Sequence, residues 1–74
     1  MEVRIGVQNA AREVVLESGE SAQGVEATVA AALEDGGVLS LKDERGRTVL
    51  VPAAAIAFVE IGVEESRRVG FGTL

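Results

Sequence analysis

The run Asp43-Glu44-Arg45-Gly46 constrains this chain most, because it stands between two apolar segments that alternate with period two. An Asp side chain accepts hydrogen bonds from backbone amides just downstream, and Gly enters the left-handed conformation at little cost. The run therefore reads as a type I turn closed by a left-handed glycine. A hairpin with this three-residue loop sets Leu41 opposite Val49 and Leu39 opposite Val51, which brings the larger apolar pairs onto one face. Pro52 ends the second strand of that pair, since it cannot donate to a central ladder.

The remaining segments attach to this hairpin by the same logic. Val3, Ile5 and Val7 alternate with Glu2, Arg4, Gly6 and Gln8, the pattern of a strand with one buried face. A second strand over residues 12–17, joined to the first by a two-residue turn at Asn9-Ala10, pairs Ile5 with Val14 and Val3 with Leu16. Ser21 is placed to cap a helix over residues 22–34, whose apolar stripe is Val25, Val29, Ala32 and Leu33. Gly36 and Gly37 supply the residue with positive φ that ends such a helix. After Pro52, residues 53–56 suit one tight helical turn and residues 57–62 a fifth strand with Ala57, Val59 and Ile61 inward.

The order is ββαβββ, an α+β fold with a curved antiparallel sheet packed on one helix. Its last hairpin, Pro52, tight turn and final strand are similar to the end of small SH3-like barrels, toward which the sheet could close. Residues 1–62 form a single domain, and residues 63–74 a tail that is either a short strand or flexible.

Seventy-four residues leave no material for a second core, and a domain this small buries only about 60% of its unfolded surface. Association with another chain is the natural supplement. There is no Cys and no His, which removes the usual ligands of structural zinc and the usual catalytic bases. Twelve acidic against seven basic residues give a net charge of -5, which opposes binding to a phosphate backbone, so nucleic acid is not an expected partner. No leader and no apolar run near the ~20 residues of a membrane span is visible, and the expected compartment is the cytoplasm.

Candidate chemistry is sparse. Ser18, Ser21, Ser40 and Ser66 have no adjacent base other than carboxylates, and their positions suit caps, turns and surface. Glu13 with Glu17 and Glu64 with Glu65 fall on a solvated strand face or in the tail, where water leaves paired carboxylates alike. Asp43 with Glu44 offers two ligands where a calcium loop needs several at defined spacing. Arg67 and Arg68, followed by Val69-Gly70-Phe71-Gly72, are the candidate anion-binding residues, although a phosphate loop would need a Lys and a following helix. The expectation is a chain that is not an enzyme and carries no cofactor or metal. A nucleotide or phosphometabolite bound by the Arg-rich tail is the alternative.

Strand register supplies another candidate surface. If the ten strand positions Val3, Ile5, Val14, Leu16, Leu39, Leu41, Val49, Val51, Val59 and Ile61 face the helix, then Val15, Val38, Leu50 and Phe58 face the other way. A fully solvated face has no use for them. Either the sheet curls on itself or these residues, with Phe71 of the tail, form an interface with a second copy or another protein.

The segments Glu2-Val3-Arg4-Ile5-Gly6-Val7-Gln8-Asn9-Ala10, Asp43-Glu44-Arg45-Gly46-Arg47, Val51-Pro52-Ala53-Ala54, Val59-Glu60-Ile61-Gly62 and Val69-Gly70-Phe71-Gly72 carry a resemblance that spans essentially the whole chain. It resembles the small conserved actinobacterial proteins classed as a domain of unknown function. That resemblance implies a cytosolic actinobacterial protein. Members of the family often bear an ATP-binding label, for which the resemblance transfers no residue set.

Overall fold

The computed structural model describes residues 1–63. Its elements are β1 (Glu2–Val7), β2 (Glu13–Glu17), α1 (Ala22–Asp35), β3 (Val38–Lys42), β4 (Thr48–Pro52), a 3-10 turn (Ala53–Ala55) and β5 (Ile56–Ile61). The fold is α+β in the expected ββαβββ order. The strands, however, form two antiparallel sheets instead of one curved sheet, with orders β2-β1-β5 and β3-β4, and they do not close into a barrel.

Local chemistry explains each element. Ser21 has extended dihedrals and its Oγ accepts from the Gly24 amide at 3.0 Å, which caps α1; Gly36 ends it at φ 76° and donates its N–H to the Ala32 carbonyl. The β3–β4 turn forms as expected, with Gly46 at φ 89° and its N–H on the Asp43 carbonyl at 3.0 Å. Leu41 lies opposite Val49 and Leu39 opposite Val51. In the first hairpin Ile5 pairs with Val14 and Val3 with Leu16, the expected register. Its turn is wider than Asn9-Ala10 alone: the odd residues of β1 bond to β2, so the Gln8 N–H points to the other side, where it donates to Ala55 in the 3-10 turn at 2.7 Å. Asn9 does take positive φ, at 63°.

The core lies between the two sheets and the helix. Val3, Ile5, Leu16, Leu39, Leu41 and Val51 are buried in it, and Val14, Val49, Val59 and Ile61 pack against it half-buried, so all ten expected strand positions face inward. From α1 only Val25 and Val29 are buried, with Ala32 packed beside them, while Leu33 is exposed. At 3.6 residues per turn Leu33 lies about 80° round from Val25, outside so narrow a stripe. Ala57 also departs from its expected inward position. The β1–β5 register shifts between Gly6, opposite Phe58, and Val7, opposite Ile56, so Ala57 is the extra residue of a β-bulge and turns out to solvent while Ile56 enters the core.

The separation of the sheets has its own cause. At Pro52 the chain turns a corner, the Ala53 N–H closes onto the Gly37 carbonyl at 2.8 Å, and β5 pairs with β1 instead of β4. The β3–β4 hairpin meets β2 by discrete contacts at its tip, without a ladder. A barrel would need that ladder.

Candidate functional site

The expected interface residues do not share one face. Val15 and Phe58 lie on the outer face of the three-stranded sheet, whereas Val38 and Leu50 lie on the outer face of β3–β4. There Val38 is 57% and Leu50 64% exposed, with Pro52 opposite Val38. A single sheet would keep the four together, and the break at Pro52 divides them. Phe71, Arg67 and Arg68 lie outside the described residues.

Phe58 has a structural task within the outer face. Its ring occupies the space that a Cβ on Gly6 would need, and Gly6 is buried beneath it. An aromatic lying over a cross-strand glycine restores contact area that the glycine itself lacks. Beside it, Arg4 reaches Glu2 at 3.3 Å, Glu13 at 3.5 Å and Glu60 at 3.9 Å. The hydrogen bond and charge of Glu2, then the charge of Glu13 and last that of Glu60, raise the Arg4 pKa against an opposing desolvation. Glu13 thus belongs to a charge lattice on β1, β2 and β5, while Glu17 turns to the Met1 amino group at 3.4 Å.

The two edges of the three-stranded sheet differ. On β2 the outward carbonyls of Val15 and Glu17 are taken. The Glu44 amide donates to Glu17 at 2.8 Å, and Arg47 Nη2 donates to Val15 at 3.2 Å. Arg47 is held for this by Asp43, whose Oδ2 accepts from Arg47 Nε at 3.0 Å while its Oδ1 accepts from the amides of Arg45 and Arg47 at 2.9 and 3.1 Å. Desolvation pushes the Asp43 carboxyl up, but those two amides and the Arg47 guanidinium outweigh it and hold the pKa below 3.8. An open cleft of about 380 Å³ remains between Val15, Glu17 and the turn residues Asp43, Glu44, Arg45 and Arg47. Its carboxylate and guanidinium are already committed to each other.

On β5 the Gly62 amide donates to the Glu2 carbonyl at 2.8 Å, so even-numbered residues of β5 face β1 and the backbone groups of Val59 and Ile61 point away from it. No described residue bonds to them. Val63, just beyond the strand, is 89% exposed.

The other candidates take ordinary places. The buried Ser18 Oγ accepts from the Glu20 amide at 3.0 Å, and Ser21 is the helix cap. Among the described residues no three His, Cys, Asp or Glu side chains come together as a metal group, and no helix is long and apolar enough to cross a membrane. Sequence reasoning missed Arg47, whose partner Val15 is 32 residues away, and the pairing of Phe58 with Gly6. A glycine inside an alternating strand was the available signal for the latter.

A family model described as protein of unknown function (DUF3107) matches residues 1–72. The chain belongs to DUF3107. Among the curated proteins none matches it. The DUF3107 match covers every described strand and the helix, so the two contrasting edges lie wholly within the family's span.

Proposed function

We propose that this DUF3107 chain is a non-enzymatic interaction module that engages a protein chain, its own copy or another, through a sheet edge or face. The open β5 edge carries this reading. It presents backbone donors and acceptors that no described residue pairs, beside the half-buried Val59 and Ile61, and an extended strand satisfies such an edge with main-chain hydrogen bonds. The apolar pair Val38 and Leu50 on the other sheet adds exposed surface of the kind interfaces use. A photo-crosslinking residue placed at position 61, and separately at position 50, tests the reading in the cells that naturally express the protein. Adducts of one or two discrete protein masses are expected. Absence of any protein adduct from both positions removes the proposal.

A further inference from the structure

The geometry points to a second copy of this chain as the occupant of the β5 edge, added antiparallel about a twofold axis at Ile61. This rests on the interaction-module reading and names its partner. The occupant must be an extended strand, because the groups on offer are the alternating N–H and C=O of Val59 and Ile61. A twofold centred within the open edge, on Val59, Glu60 or Ile61, gives three registers, and side chains separate them.

A twofold centred on Glu60 sets Glu60 against its own copy, a like-charge pair at the closest cross-strand spacing. Centring on Val59 brings the bulged Ala57 opposite Ile61, where the extra residue interrupts the ladder, and leaves Val63 uncovered. Centring on Ile61 pairs Ile61 with itself and Val59 with Val63, each pair exchanging two backbone hydrogen bonds. Glu60 then faces Gly62, with no like charge opposite. Val63 has the same parity as Val59 and Ile61, so its side chain extends the inner apolar row onto the neighbouring copy. Its 89% exposure in the single chain is thereby explained. The two three-stranded sheets become one of six strands, and the closed β2 edges lie at its two ends. Closure of β2 is what stops the assembly from growing into a filament.

An edge-to-edge contact is small, so the dimer is expected to be weak and to form between roughly 20 µM and 1 mM. Light scattering after size exclusion reads this directly. Val63→Asp is expected to weaken the dimer by at least about tenfold, since it places a carboxylate in the apolar row, with the circular dichroism spectrum unchanged. The chain has no Cys, so Ala57→Cys accepts a single nitroxide at the solvent-facing bulge. The Ile61 register places the two labels about 27 Å apart along the strand, and the Val59 register about 14 Å. A wild-type monomer at 1 mM, or a label separation near 14 Å, overturns the inference. A dimer that resists Val63→Asp but is lost in Leu50→Glu overturns it too, while leaving the interaction-module reading in place. Absence of protein adducts in cells removes the broader reading and this inference with it.

Discussion

The two edges of the three-stranded sheet are built from similar strands and end up in opposite conditions. β2 and β5 both pair with β1, both turn branched aliphatic residues inward and both carry glutamate outward. The β2 edge is occupied by a turn from the other sheet, through one backbone amide and one guanidinium. The β5 edge has no such partner among the described residues. What separates them is therefore not the strands' own sequences but the location of the Asp43–Arg47 turn, which the β3–β4 hairpin delivers to one side only. Edge protection here is a tertiary property, added by thirty-residue contacts after local pattern has made the strands.

The comparison breaks most severely if β5 is pried from β1. Gly6→Ala puts a Cβ where the Phe58 ring now lies, and overpacking of this kind costs about 1–3 kcal/mol. Urea denaturation should show the loss, and amide exchange should show the β1–β5 bonds opening before those of β1–β2. Adding Phe58→Ala removes the clash, so the double variant should recover part of the stability lost by Gly6→Ala alone. If the two changes add without recovery, the ring does not hold the position assigned to it.

A smaller effect is expected from opening the closed edge. Arg47→Ala removes the donor to the Val15 carbonyl and the partner of Asp43, a small loss of stability because Arg47 is largely exposed. Its diagnostic consequence is associative. With both edges open, the variant should form species larger than a dimer at concentrations where the wild-type chain does not, which light scattering resolves. An unchanged size distribution would mean that the Glu44 amide alone suffices to close β2.

Much of this architecture can be read from the residues, and the boundary of legibility is physical. Parity along each strand places all ten inward positions, since a period of two leaves one choice per strand once a face is apolar. Turn chemistry fixes both hairpin registers, through Asn9 and Gly46 at positive φ. Which strand joins which sheet is different, because only three alanines separate β4, which ends at Pro52, from β5, and alanines carry no directional information. The bulge at Ala57 is equally silent, since it shows only in how β5 meets the distant β1, beside the bond from Gln8 to Ala55. Parity therefore marks each exposed apolar residue but not its sheet, and Val15 and Phe58 lie on one, Val38 and Leu50 on the other.

The least effect, and the finest probe of the closed edge, is its dependence on pH. Asp43 holds Arg47 in place only as a carboxylate, and its folded pKa lies below the ordinary 3.8. A depressed carboxyl pKa means that the unfolded chain binds the proton first, so the stabilisation is complete above 3.8 and is lost as the pH falls through the lower folded value. Urea midpoints measured across that window should fall for the wild-type chain and fall less steeply for Asp43→Asn, which cannot take up the proton. Because Asp43 accepts from two backbone amides as well as from Arg47, protonation loosens the turn and the β2 contact together. The protection of the Glu44 amide against exchange, relative to an unstructured amide at the same pH, should therefore fall in acid, while that of the β5 amides, which owe nothing to Asp43, follows global stability alone.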